Sequence, residues 1–155
     1  MSRSGAELAS LMLAGFRTLV DAAMEELARR GHPDFRPVHE YALLAIAAGA
    51  ASASDLGRSL SVSKQAAAKT IATLERRGYL SVETDPEDAR RKRLQVTDRG
   101  REAMRTGAAI FDELRAEWAR TIGGERLDSL EADLETLVGA SPPRFDTPGW
   151  MTRDG

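Results

Sequence analysis

A mainly α-helical fold with one small β-ribbon is what this 155-residue sequence predicts. Three observations predict it. Apolar residues recur at helical spacing over four long stretches, 6–30, 37–48, 98–122 and 125–138. Over 54–77 a short helix, a Ser-Val-Ser turn and a second helix follow one another. Residues 79–97 alternate on either side of Asp85-Pro86-Glu87-Asp88, a turn cluster in which Pro86 cannot join a central ladder.

The first helix carries Leu8, Met12, Phe16, Leu19, Ala23 and Leu27 on one face and stops at Gly31-His32-Pro33. Pro37 suits the first position of the second helix, whose apolar face is Val38, Tyr41, Leu44 and Ala45 and which ends at Gly49. Ser54 is the expected N-cap of the short third helix, with Leu56 and Leu60 inward. Ser63 caps the fourth. There Ala67, Ile71 and Leu74 form a core seam, Lys64, Gln65, Lys69 and Thr73 are left on the other side, and Gly78 supplies a left-handed exit. Strands over 79–84 and 93–97 make a ribbon of roughly 18 residues, with Leu94 and Val96 inward. Met104, Phe111, Leu114, Trp118 and Ile122 line the long fifth helix, which Gly123-Gly124 breaks. Leu127, Leu130, Leu134 and Leu137 mark a sixth. The three-proline tail has no period and is expected to be loose, with Phe145 and Trp150 able to dock.

Helix pair plus ribbon is a winged helix-turn-helix core. A second helix of this kind enters a DNA major groove, and a basic ribbon beside it grips the flanking backbone and minor groove. The charge distribution agrees. The net charge is only −2, yet residues 58–105 hold twelve Lys/Arg against seven Asp/Glu, while the rest of the chain holds ten against seventeen. A basic centre between acidic ends points to a localised polyanion-binding face. The apolar stripes on the first, fifth and sixth helices exceed what the winged helix can cover, and two copies packed as a helical platform would bury them. The expected organisation is an N-terminal dimerisation helix over 1–35, the DNA-binding unit over 36–99, C-terminal dimerisation helices over 100–140 and a loose tail over 141–155.

Other chemistries find little support. The chain has no cysteine, which removes disulfides, thiolate metal sites, cysteine nucleophiles and thiol-based sensing. His32 and His39 are the only histidines, separated by a Pro-containing loop, so no metal site is expected. There is no Gly-rich phosphate loop, Ser-x-x-Lys, His-Glu-x-x-His or nuclease-like acidic cluster, so no catalytic residue and no cofactor is expected. Asp21, Glu25 and Glu26 interrupt the N-terminal apolar region, and no stretch approaches the about 20 apolar residues of a membrane span. A cytoplasmic protein with no membrane partner is the expectation. The rival from another class is a winged helix used only for protein contacts, an adaptor or antirepressor. Lys64, Lys69 and the basic run over 90–93 speak against it.

LGRSLSVSKQAAAKTIATLERRGYL followed by DPEDARRKRLQVTDRG resembles the MarR family of bacterial regulators over residues 56–105. The combination is specific: Val-Ser, recognition helix, Leu-Glu-x-Arg-Gly-Tyr-Leu, then Asp-Pro-x-Asp-x-Arg in the wing. One departure is Val96, where the family has Leu before Thr. The resemblance implies a homodimer binding double-stranded DNA at adjacent half-sites, mostly as a repressor. Carried over by position, Ser63, Lys64, Gln65 and Ala66 open the recognition helix. Gln65 suits adenine, and Lys64 suits guanine or a phosphate. Lys69 and Thr70 lie one turn on, toward the backbone. The alanines at 66–68 leave more of the specificity to methyl contacts and DNA shape. In the wing Arg90 is expected in the minor groove, oriented by Asp88 through a charge-assisted hydrogen bond, with Arg91, Lys92 and Arg93 adding phosphate attraction. The resemblance also implies a small-molecule effector, aromatic or phenolic in many relatives, lodged between platform and winged helix. Arg17, His39 and Tyr41 are polar groups on the helices that would line that cleft.

Overall fold

The computed structural model describes residues 2–90 and 92–140. Arg91 and the tail over 141–155, with Phe145 and Trp150, lie outside the described residues. Six helices and a two-stranded ribbon follow in the order α1 (Gly5–Arg29), α2 (Pro37–Ala47), α3 (Ala53–Leu60), α4 (Lys64–Arg76), β1 (Leu80–Thr84), β2 (Lys92–Val96), α5 (Asp98–Ile122) and α6 (Gly124–Val138).

Local chemistry sets each boundary. Helix α1 starts at a reciprocal cap: Ser4 Oγ accepts from the Glu7 N–H at 3.2 Å, and the Glu7 carboxylate accepts from the Ser4 N–H at 2.7 Å. Pro37 opens α2 as its missing N–H and fixed φ suggest. Helix α3 begins one residue before its expected start, and its cap moves by two. Its N-cap is Ser52, not Ser54; Ser52 Oγ accepts from the Asp55 N–H at 3.1 Å, and Asp55 accepts from the Ala51 N–H at 3.0 Å. The spacing Ser52-x-x-Asp55 carried that signal, and the capping pair outcompetes the isolated Ser54. Ser63 caps α4 through the Ala66 N–H at 3.0 Å. Between α3 and α4 the turn is tight enough that a Cβ on Gly57 would stand 2.9 Å from the Val62 carbonyl oxygen.

Gly78, at φ +81°, takes the chain out of α4 in the left-handed region that a side chain would strain. The ribbon is antiparallel, pairing Leu80 with Val96 and Thr84 with Lys92. Thr97 then caps α5 at the Gly100 N–H while its hydroxyl donates to the Gly78 carbonyl at 2.6 Å. Gly100 presses against the same strand end, where a Cβ would lie 2.3 Å from the Tyr79 carbonyl oxygen. The wing, the end of α4 and the start of α5 thus form one closely packed corner.

The core sits where α2, α3, α4 and β1 meet the end of α1 and the middle of α5. Leu27, Phe35, Leu43, Leu56, Leu74, Tyr79 and Ile110 are its largest buried apolar side chains. Helix α1 also grips α5 through Arg30 and Glu113 at 2.9 Å. Helix α6 is tied to α5 by Arg115, which reaches both Glu131 at 2.7 Å and Asp128 at 2.8 Å. The outer apolar faces of α1 and α6 are uncovered: Leu8, Leu11, Phe16, Leu137 and Val138 are exposed. Among the described residues no helix is long and apolar enough to cross a membrane.

Candidate nucleic-acid interface

Helix α4 presents two sides. Ala67 and Leu74 are buried against the core. Ser63, Lys64, Gln65, Ala66 and Lys69 are exposed, so the polar start of the helix faces away from the protein. Thr70 is half-buried and belongs partly to the inner side, which limits its reach. The cap leaves Ser63 Oγ engaged with the Ala66 N–H, so Lys64 and Gln65 are the long polar groups free of that local duty.

In the wing Asp88, Arg90, Lys92 and Arg93 are exposed, while Leu94 and Val96 turn partly inward as the alternation predicted. Asp88 acts differently from expectation. Its Oδ1 accepts from the backbone N–H of Arg90 at 3.0 Å, and Asp85 does the same for Glu87 at 2.9 Å. Two such Asx turns shape the tip. Asp88 therefore orients Arg90 through the main chain rather than by holding its guanidinium. A short carboxylate binds the N–H two residues on with little entropy cost, whereas a long exposed arginine side chain loses more by being fixed.

A groove of about 990 Å³ runs between the loop that precedes α3, helix α4 and the wing. Lys64, Arg90 and Lys92 stand on its walls with Asp55 and Glu75, and Ile71 lies among its apolar lining. Asp55 is held below the usual carboxylate range, first by the Ala51 N–H, then by Ser52 and Arg58. It stays ionised and keeps the start of α3 capped.

Arg17, His39 and Tyr41 fall elsewhere, and none lines this groove. Arg17 is exposed on α1 and Tyr41 is half-buried on α2. His39 is buried at the start of α2, where its Nδ1 accepts from the Arg36 N–H at 2.9 Å. Sequence reasoning passed over their neighbour Glu40. Burial lifts its carboxyl above the usual range, and its Oε1 would meet a Cβ on Gly107 of α5 at 3.5 Å. A carboxylate inside the apolar run over 37–46 was the signal. Among the described residues no cluster of three or more His, Cys, Asp or Glu could hold a metal.

The MarR family model matches residues 35–91. No curated protein matches the chain by sequence. Solved structures do match by fold. The S. aureus MepR F27L mutant, bound to an oligodeoxyribonucleotide, superposes at TM-score 0.60 with 17% identity, covering 90% of this chain and 99% of its own. CouR from Rhodococcus jostii RHA1, bound to p-coumaroyl-CoA, gives 0.62 at 17%, covering 91% and 99%. The MarR family transcription regulator SP03579 gives 0.68 at 19%, covering 86% and 87%. The sequence match covers the helix-turn-helix and the start of the wing, and over nearly the whole chain the fold is similar to that of MarR-family winged helix-turn-helix structures.

Proposed function

We propose that this protein is a sequence-specific, double-stranded DNA-binding transcription regulator, a ligand-responsive repressor that sits on a palindromic operator as a homodimer. The observation that carries this reading is the shared groove. The exposed start of α4 and the basic wing border one concavity, so a single duplex can meet both. Lys64 and Gln65 then address base edges in the major groove, with Ser63 and Ala66 beside them and Lys69 and Thr70 toward the backbone. Arg90 reaches the adjacent minor groove from a tip shaped by Asp88, with Arg91 and Lys92 adding phosphate attraction. MepR was captured on an oligodeoxyribonucleotide in the same fold, which supports the mode of use.

The uncovered stripes of α1 and α6 supply the homodimer. Large exposed apolar side chains concentrated on terminal helices mark an association surface. A twofold dimer sets two α4 helices against half-sites whose centres lie about 34–36 Å apart. An effector in the α1/α2/α5 region, near Arg17, His39 and Tyr41, would change that spacing by favouring one arrangement of the two lobes. CouR is a complex with p-coumaroyl-CoA, so aromatic acyl compounds are the first to screen.

The test is in vitro selection from random duplex DNA, followed by mobility shifts over a salt series. An inverted repeat with half-site centres about one turn apart is the expected product. Selection that enriches nothing, with only weak salt-sensitive binding, sinks the reading and favours a protein-contact role.

A further inference from the structure

One hydroxyl joins three elements. His32, in the segment leaving α1, is 2% exposed, and its Nδ1 lies 3.1 Å from Tyr79 Oη. Tyr79, 1% exposed, follows α4 directly; its N–H donates to the Leu74 carbonyl, and its own carbonyl accepts from the Thr97 N–H. Arg99 in the first turn of α5 places its guanidinium 4.8 Å from the centre of the Tyr79 ring. Its Nη2 donates to Tyr79 Oη at 3.3 Å and to the Gly31 carbonyl at 3.1 Å, and its Nε to the Arg77 carbonyl at 3.2 Å.

The proton directions follow from what each group can do. An arginine only donates, so Tyr79 Oη accepts from it. The tyrosine proton is then left for His32 Nδ1, which must be bare. The ring is therefore the neutral Nε2–H tautomer. A proton on Nδ1 would set two donors on one oxygen, leave the tyrosine O–H without its acceptor and bury a cation beside Arg99.

We propose that His32, Tyr79 and Arg99 form a proton-operated joint: protonation of His32 releases the end of α1 from the exit of the recognition helix and lowers DNA affinity. The link to affinity rests on the DNA-binding reading above. Burial, then the Arg99 charge, holds His32 below its ordinary value, and Glu102 of α5 opposes them. The other charged or titratable groups around it are Arg77, which donates to the Asp34 carbonyl at 2.8 Å, Arg30 and Asp34 on its own segment, and His39 of α2 across the Phe35 ring. A histidine held low in the folded chain binds fewer protons there than when unfolded. The joint contributes fully above the unfolded value of 6.5 and is lost as pH falls below it through the lowered folded value.

The experiment is an NMR titration of the full chain, paired with affinity for the selected duplex at about pH 7.5 and about pH 5.5. His32 should titrate below 6.5, and the backbone amides of Gly31, Arg77, Gly78 and Tyr79 should shift with the same midpoint. Affinity should fall about fivefold or more on acidification. His32→Asn, which keeps an acceptor but cannot take the proton, should lose that pH dependence. Tyr79→Phe should uncouple the amides while His32 still titrates, a readout that stands if His32→Asn does not fold. The joint is overturned if His32 titrates at or above 6.5, if the amides ignore it, or if either variant keeps the wild-type response. Absence of duplex binding at every pH would instead sink the DNA-binding reading, and the amide titration would still decide the joint.

Discussion

Leu74 of α4 and Leu137 of α6 both lie on the apolar face of an amphipathic helix, yet Leu74 is 1% exposed and Leu137 is 80% exposed. The contrast extends to the regions around them. Between Phe35 and Val96 the chain closes on itself: caps, the tight turn under Gly57 and the Tyr79 corner engage one another within one copy. Helices α1 and α6 bury Ala23, Leu27 and Leu127, are tied to α5 by ion pairs, and leave their outer apolar faces open. One region is closed around the core within the chain, and the other leaves a whole apolar face outside it. The proposed DNA-reading part therefore packs within a single chain, while in the proposed dimer association would cover the outer faces of the terminal helices.

The largest effect expected separates the two directly. Leu74→Ala should cost about 2–5 kcal/mol in urea denaturation, because a fully packed site cannot collapse around the lost methyls. Leu137→Ala should change little at low protein concentration, where both forms are dissociated. Its loss should grow as the concentration rises, since the side chain acquires contacts only in the associated form. Equal, concentration-independent losses at both positions would erase the distinction. Gln65→Ala comes next and touches neither core. It should cost roughly 1–3 kcal/mol on the best duplex and relax selectivity between sites, measured by competition mobility shifts. Unchanged selectivity would remove Gln65 from base reading.

How much of this was legible in the sequence follows the same division. Helical period, Ser63, Gly78 and the turn cluster at 85–88 revealed the self-contained region because local chemistry and tertiary packing demand the same thing there. Ser54 misled because two serines compete within three residues, and only the partner Asp55 selects Ser52. Asp88 misled because charge pairing is visible in a sequence, whereas an Asx turn depends on the main chain around it. His32, Tyr79 and Arg99 stood unconnected in the sequence, separated by 47 and 20 positions. The stripes on α1 and α6 were readable as apolar, but a stripe does not say whether its own chain or another covers it.

Smaller effects sharpen the electrostatic side. Arg90→Ala should lower affinity and reduce the slope of log affinity against log salt by about 0.9, one phosphate-like contact. An unchanged slope would take the exposed wing tip out of the interface. The effect belongs to a surface group, so it should leave urea stability untouched, unlike Leu74→Ala.

The smallest expected effect lies at the seam between the two regions. Glu40 starts on α2 and lies against Gly107 of α5, and burial lifts its carboxyl above the usual range. The folded chain thus binds its proton more readily than the unfolded chain does. Its contribution is fully present below 4.5 and is lost as pH rises through the higher folded value. Glu40→Gln keeps the size and removes the charge. It should be more stable than wild type near neutral pH and indistinguishable from it in acid well below 4.5, where the wild-type carboxyl is protonated in both states. Thermal unfolding at several pH values reads this difference. A variant less stable than wild type at neutral pH would mean that the carboxylate holds the seam together. The coupling between α2 and α5 would then be electrostatic rather than a packing contact with a desolvated charge at its edge.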